Sequence, residues 1–379
     1  MALYLCFEIT SVMPKHINLR LPTSFNRCSL AELRAIAAIM GDCALRASRF
    51  HPFNMMEVKV AVFMRLTNLE IVEPLNPRIP VEEQYYVVRQ LPYTLEEEQS
   101  SMLRFYRNLK AWCRCHIFGH DDTFSLYLWQ IHSWLTPYKN PHTGKVTPGL
   151  LDWLDSDHPD SLLIFPLNKV FRRRSLCGRK VEFHGPAPLM DGFTWQRYRF
   201  AQDYMQNYVN ASNRLLQLQK MGNRASAADI LRASKNLDLA KALFLATIFN
   251  RRITYVDEQT GQTKRDYHYQ SNQHSDNSPY FRNFPDTDWQ LVLLWWQGMM
   301  HYLQKTFPKV FKKQKVSKNQ KAPNPLELYT RTTATMEKYL SSTAADVDRE
   351  PYTTIIQHLE DISRHNEEME RINAQIKHK

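Results

Sequence analysis

The chain has 379 residues, which is enough for two or three domains with buried cores. Its hydrophobic fraction of 43% and its charged fraction of 23% are ordinary for a globular protein and exclude wholesale disorder. With only 10 glycines, Gly-rich phosphate loops and a large all-β fold are disfavoured, so we predict a mainly α-helical protein with one or two small β-hairpins.

The formal net charge of +11 favours an anionic partner, either nucleic acid or an acidic protein surface. The alternative is a basic protein with one solvated basic tail. The 6 cysteines are dispersed, which favours reduced thiols over a disulfide framework. No apolar run approaches the ~18 residues of a membrane span and no signal-peptide pattern is present, so we predict no membrane partner.

Composition shifts along the chain predict four regions. These are an N-terminal helical region (1–93), a central helical domain (94–311) with a β-hairpin near 251–270, a basic linker (312–325) and a tethered C-terminal helical segment (326–379). The linker is rich in lysine and poor in apolar residues, as expected for a flexible connection.

The N-terminal region contains a capping box at Ser29 and Glu32, because each side chain can bond the backbone amide of the other residue. A second helix is predicted over 55–72, with Val58 and Val62 on one face. An extended segment follows at 84–91.

The central domain begins with a second capping box, at Thr94 and Glu97. It opens a helix in which basic residues alternate with apolar ones, including Arg104, Arg107 and Trp112. The following segment, 119–160, is polar and is predicted to be rich in loops.

The segment 183–209 combines a turn at Gly185 with an aromatic helix capped by Asp191 or Thr194. A wide apolar band on such a helix is typical of core packing, so we interpret it as packing and not as a stacking surface for a ligand. The aromatic residues of this band are Tyr198, Phe200, Tyr204 and Tyr208.

Further along, the sequence predicts a helix over 226–250 and a β-hairpin broken near Gly261. A buried helix follows that stops before Pro308. The last helix, over 351–379, is amphipathic and is predicted to dock on a partner. The predicted docking residues are Ile355, Ile356, Leu359, Ile362 and Met369.

Two groups of residues raise the question of metal binding. Cys113 and Cys115 precede His116, but zinc motifs prefer two to four residues between the cysteines and need a second pair, so we favour free thiols. Asp152 and Asp155, with His158, could hold the metal of a nuclease, although such acidic turns are usually only solvated. We therefore expect no enzyme, metal or cofactor, and keep a metal-dependent nuclease as the third hypothesis.

Basic residues are concentrated in two segments, and nearby aromatic residues could stack with nucleic-acid bases. The predicted contacts with an anionic partner are Lys169, Arg172, Arg173, Arg174, Arg179, Lys180, Lys309, Lys312, Lys313 and Lys315.

Five segments resemble, in the same order, uncharacterised proteins of Bacteroidetes phages and prophages that are encoded near tail genes. They are "LPTSFNRCSLAELRAIAAIM", "FHGPAPLMDGFTWQRYRFAQDYMQNYV", "ALFLATIFNR", "HYLQKTFPKVF" and "REPYTTIIQHLEDISRHNEEMER". The resemblance implies a non-enzymatic tail-assembly or virion protein that contacts other phage proteins. It also implies a place in the cytoplasm of the bacterial host during assembly, and in the virion. The alternative is a nucleic-acid-binding protein of a mobile element.

Overall fold

The computed structural model is mainly α-helical with a few small antiparallel sheets, as the sequence predicts. It describes residues 3–6, 16–19, 21–46, 53–73, 75–76, 78–92, 95, 100–118, 123–155, 162–175, 177–222, 225–256, 261–269, 273–311 and 325–377.

The chain forms two compact units. The first comprises Met1–Leu163 with Asp286–Gly298, and the second comprises Ile164–Pro285 with Met299–Lys379. This division differs from the four predicted regions, because a boundary falls inside the predicted central domain and the C-terminal helices belong to the second unit.

In the first unit, the described strands pair in antiparallel ladders, and the three-stranded sheet has the order β3-β4-β5. The helices and strands up to residue 147 are β1 (Leu3–Cys6), β2 (His16–Leu19), α1 (Leu30–Arg46), α2 (Met55–Leu66), β3 (Leu69–Glu73), β4 (Tyr85–Gln90), α3 (Ser101–Phe118), β5 (Thr123–Tyr127), α4 (Leu128–Leu135), β6 (Tyr138–Lys139) and β7 (Val146–Thr147).

The capping box before α1 is confirmed. The Ser29 backbone N–H donates to the Glu32 carboxylate at 2.6 Å, and the Glu32 N–H donates to Ser29 Oγ at 3.3 Å. Thr94 and Glu97, the second predicted box, lie outside the described residues.

The prediction of one helix over 55–72 is wrong at its C-terminal end. Helix α2 stops at Leu66, and Asn68 takes a left-handed backbone conformation with φ of 57°. Asparagine tolerates this conformation better than most residues, and it turns the chain into β3. The predicted loop-rich segment after residue 119 contains β5 and α4 instead.

The second unit contains a four-stranded antiparallel sheet of order β11-β10-β9-β8 and several helices. Its elements are β8 (Lys169–Arg172), β9 (Val181–His184), α5 (Trp195–Met221), α6 (Ala227–Ile248), β10 (Asn250–Val256), β11 (Thr263–His268), α7 (His274–Asn277), the last part of α8 (Asp286–Thr306), α9 (Pro325–Leu340), α10 (Ala344–Arg349) and α11 (Tyr352–Lys377). The predicted β-hairpin is β10 with β11, and α6 is one continuous helix.

Helix α5 begins at the predicted cap, because the Thr194 side chain accepts from the Arg197 backbone N–H. Gly185 is required just before it, since a Cβ at this position would lie 2.3 Å from the ring of Phe165. Tyr198 is fully buried and stacks on the ring of Tyr352, with 5.0 Å between centroids. Tyr198 therefore contributes to the core, as predicted, while Phe200, Tyr204 and Tyr208 are half-buried.

The start of α11 is built into this same core. The Trp195 N–H donates to the Glu350 carbonyl at 2.7 Å, and the Tyr352 N–H donates to the Phe193 carbonyl at 3.0 Å. The chain segments before α5 and α11 are thus joined as a short antiparallel bridge at Thr194 and Pro351.

Candidate functional site

Two of the acidic residues proposed for a nuclease site, Asp152 and Asp155, share one buried lysine. Lys59 Nζ lies 2.8 Å from a carboxylate oxygen of Asp152 and 3.0 Å from one of Asp155. Burial lowers the pKa of Lys59, but the hydrogen bonds to the two carboxylates outweigh it and raise the pKa overall. An ammonium group therefore occupies the position that a metal ion would need, and the geometry argues against the nuclease hypothesis. His158 lies outside the described residues.

The zinc hypothesis gains no support either. Among the described residues, no group of three or more His, Cys, Asp or Glu side chains is arranged to hold a metal ion. Cys113 lies on α3, and the side chains of Cys115 and His116 lie outside those described.

Two of the predicted anion contacts in the β8–β9 hairpin are used within the protein. The Arg172 guanidinium donates to the carbonyl oxygens of Tyr280, at 3.3 Å, and of Asn283. Lys169 pairs with the Glu182 carboxylate. Lys169 has a carboxylate partner and Arg172 has two carbonyl acceptors, so both are engaged within the protein, and their contact with an anionic partner stays a prediction.

The rest of this basic hairpin is exposed. Arg173, Arg174, Arg179 and Lys180 lie at the surface, and the exposed ring of Phe171 has the Lys180 ammonium 4.9 Å from its centroid. These residues remain candidates for contact with an anion.

Lys309 is also engaged inside its unit. Its backbone N–H donates to the Glu360 carboxylate at 2.8 Å, and its ammonium pairs with Glu367. Lys309 therefore has a carboxylate partner inside the protein, and its contact with an anionic partner stays a prediction. The remaining predicted lysines, Lys312, Lys313 and Lys315, lie outside the described residues.

The predicted docking surface on α11 is largely covered. Ile355 and Ile356 are 0% and 1% exposed, while Leu359 and Ile362 are half-buried. Only Met369, near the C-terminal end, is well exposed. The docking prediction is therefore wrong for the first turns of α11, because they pack into the protein's own core.

Helix α3 carries more exposed apolar surface than α11. Large apolar side chains recur along it three or four positions apart, which places them on one side of the helix. We define the apolar face of α3 as Met102, Phe105, Tyr106, Leu109 and Trp112, whose exposed fractions are 83%, 70%, 62%, 48% and 54%.

The other side of α3 is basic. Arg104, Arg107 and Lys110 lie on it, and the sequence of the helix contains no Asp or Glu. The chain itself therefore shows an amphipathic helix with both sides accessible. The 102–112 periodicity is visible in the sequence and could have identified this surface.

A second feature is a cleft of about 540 Å³ in the second unit. We call it the Arg197 cleft, and it is lined by Asn168, His184, Gly185, Pro186, Ala187, Pro188, Asp191, Gly192, Thr194, Arg197, Asn250 and Tyr269. Most of these residues come from the segment before α5, whose Gly-Pro turn and helix start form one wall.

Arg197 is a buried cation, with 3% of its surface exposed. Its Nε and Nη2 donate to the carbonyl oxygens of Thr247 and Ile248 at 2.9 Å each, at the C-terminal end of α6. Its guanidinium lies 3.8 Å from the ring centroid of Phe193 and 4.5 Å from that of Tyr269. Burial lowers the pKa of Arg197 to about 9, which leaves it protonated at neutral pH.

A polar chain of two half-buried tyrosines and one buried histidine continues from this arginine. The Tyr269 hydroxyl lies 2.6 Å from His274 Nε2, and the Tyr204 hydroxyl lies 3.5 Å from His274 Nδ1. Burial, reinforced by the charge of Arg197, lowers the pKa of His274 to about 4. The imidazole is therefore neutral at physiological pH and joins the two tyrosines.

Comparisons with protein-family models, with curated proteins and with solved structures found no match. Among the helices of the described residues, none is both long enough and apolar enough to cross a membrane.

Proposed function

We propose that this protein acts by binding another protein through the apolar face of α3. The observation that supports it is the exposure of five large apolar side chains on one side of a single helix. Contiguous apolar surface is costly in water and is typical of interaction sites. Helices with such a face commonly bind by inserting it into a groove of the partner.

The free energy available from burying the apolar face of α3 is sufficient for a specific complex. Complete burial of a side chain such as Phe or Leu contributes roughly 1.5–3 kcal/mol. Because Phe105 is 70% exposed in the isolated chain, most of this contribution is still available for binding. Trp112 adds a second aromatic anchor, of the residue type most often found in binding hot spots.

The charge of the helix indicates what kind of partner fits. Arg104, Arg107 and Lys110 lie on the side opposite the apolar face, and the helix contains no acidic residue. A partner with an apolar groove and an acidic rim would therefore be complementary to both sides of the helix. The proposed partner is therefore a different chain with an acidic surface.

The resemblance to Bacteroidetes phage and prophage proteins encoded near tail genes supports a partner among tail-assembly or virion proteins. In this proposal the chain has a non-enzymatic role and meets its partner in the bacterial host cytoplasm during assembly, with the virion as a further location.

The test uses purified proteins encoded by the neighbouring genes and measures their affinity for the full chain by calorimetry. Phe105→Ala and Trp112→Ala should each weaken binding by about thirtyfold, the effect of losing roughly 2 kcal/mol. Met369→Ala is the matched control, because Met369 is also an exposed apolar helix residue. Equal affinities of all four proteins would contradict the proposal, as would binding of α3 to anionic vesicles instead of any protein.

Nucleic-acid binding is the second candidate, supported by one surface. The exposed ring of Phe171 is flanked by Lys180 and lies beside Arg173 and Arg174, which suits a base stacked between basic contacts. In a salt titration with single-stranded DNA, Phe171→Ala should weaken binding at ~50 mM salt, where phosphate contacts are strong. Absence of binding at that salt concentration would exclude this candidate.

A further inference from the structure

The Arg197 cleft has the features of a binding site for a small anion. It combines a volume of about 540 Å³, within the range of sites for small molecules, with a cationic side chain in its lining. Its walls come from one unit, so its shape depends on the sheet, on α5 and on the Gly-Pro turn before α5.

The charge of Arg197 is not paired with a carboxylate among the described residues, although Asp191 lines the same cleft. Its hydrogen bonds go to two backbone carbonyls, and among the described residues it forms no ion pair. A buried charge without a counter-charge is costly, so buried cations are normally paired. The carbonyls at the end of α6 offset part of this cost through their partial negative charge.

The hydrogen bonds of Arg197 leave donors unused. A guanidinium carries five N–H groups, and the two bonds to Thr247 and Ile248 use only one from Nε and one from Nη2. Among the residues that the structure describes, Nη1 has no hydrogen-bond partner. The planar guanidinium is well suited to bind a carboxylate or phosphate through these donors.

The N-terminus of α5 also favours an anion in the cleft. Thr194, the N-cap, lines the cleft together with Arg197 in the first turn. The positive end of a helix dipole favours an anion close to it.

We propose that the Arg197 cleft binds a small organic anion whose carboxylate or phosphate group pairs with Arg197. This site is independent of the apolar face of α3, which lies in the other unit. The chemistry that would recognise the ligand is an oxyanion on a molecule of metabolite size.

Asp191 determines the orientation of the ligand. Its carboxylate is exposed, lines the cleft and accepts the Gly192 N–H at 2.9 Å. Because it repels an anion, the charged group of the ligand lies at the Arg197 end and its uncharged part lies toward Asp191.

The experiment is calorimetry on the full chain with inorganic phosphate and with succinate, at constant ionic strength and pH 7. The wild-type protein should bind at least one of them saturably, and the preferred probe distinguishes phosphate from carboxylate ligands. Ala187→Trp should fill the cleft without touching Arg197, because Ala187 is an exposed residue of its lining, and should weaken binding by about tenfold or more.

Asp191→Asn provides a control of opposite sign. It keeps an oxygen acceptor for the Gly192 N–H and removes the like charge, so binding should tighten by about threefold. The proposal is overturned by the absence of saturable binding to both probes, by unchanged binding in Ala187→Trp, or by weaker binding in Asp191→Asn.

Discussion

Helices α3 and α11 are both long and amphipathic, but the apolar side is largely buried in α11 and exposed in α3. The first turns of α11 bury Ile355 and Ile356 almost completely, whereas Phe105 and Trp112 on α3 remain 70% and 54% exposed. The same hydrophobic periodicity therefore forms part of a core in α11 and an exposed surface in α3.

The burial of α11 arises from contacts made at its N-terminal end. Pro351 pairs with Thr194, and Tyr352 stacks on Tyr198, so α11 is held against α5 from its first turn. The Tyr352 hydroxyl also donates to the Leu189 carbonyl at 2.7 Å. Hydrophobic periodicity thus defines an apolar side, but the neighbouring elements decide whether the chain covers it.

The largest expected effect is on α11. Ile355→Ala should lower the free energy of unfolding by about 3 kcal/mol, because it leaves a cavity in a fully buried site. Chemical denaturation of the full chain measures this, with Met369→Ala as the exposed control on the same helix. A change below about 1 kcal/mol would show that α11 is not part of the core.

The next largest effect is expected from acid, which should lower the stability of the unit that contains α11. The folded state holds His274 neutral with a pKa near 4, against 6.5 for the ordinary value. As the pH falls below 6.5, the unfolded chain gains a proton that the folded unit resists, so the second unit loses about 3 kcal/mol by pH 4.

Hydrogen exchange, followed helix by helix as a function of pH, measures this loss of stability. After correction for intrinsic rates, protection of α11 should fall between pH 6.5 and 4. His274→Gln should remove the pH dependence. Equal acid sensitivity of wild type and variant would contradict this role of His274.

A smaller effect is expected at Glu360, which is 1% exposed on α11. Its carboxylate accepts the backbone N–H groups of Lys309, at 2.8 Å, and of Val310, at 3.1 Å. Glu360→Gln removes the charge from these bonds and should destabilise the second unit by about 1–2 kcal/mol in chemical denaturation. Glu368→Gln is the matched surface control on the same helix and should have little effect.

The smallest effect is expected on α3. Phe105→Ala should change the free energy of unfolding by less than about 0.5 kcal/mol, because the ring is exposed in the isolated chain. A loss of about 2 kcal/mol or more in the same denaturation experiment would mean that the chain itself covers the apolar face of α3.

Much of the fold follows from local chemistry in the sequence. The Ser29–Glu32 capping box, the Thr194 cap and the hairpin near Gly261 depend on residues only a few positions apart, and the structure confirms them. The end of α2 was harder to predict, because apolar residues continue through Leu69 and Ile71 and the stop depends on the single left-handed residue Asn68.

The candidate sites depend on contacts between distant residues, and sequence reasoning was less reliable there. The basic character of Arg172 and the acidic character of Asp152 are plain in the sequence, but their partners Asn283 and Lys59 lie far away along the chain. The alternation of basic and apolar residues in α3 is visible in the sequence, but the exposure of its apolar face depends on which elements pack nearby. Arg197 showed no local signal of burial.

The central claim is that a different protein covers the apolar face of α3. The most direct measurement places a photo-crosslinking amino acid at Phe105, or at Met369 as the comparison, in cells that make the protein natively. The account predicts one dominant crosslinked protein from position 105 and none from position 369. Crosslinking from position 369 alone, or from neither position, would contradict it.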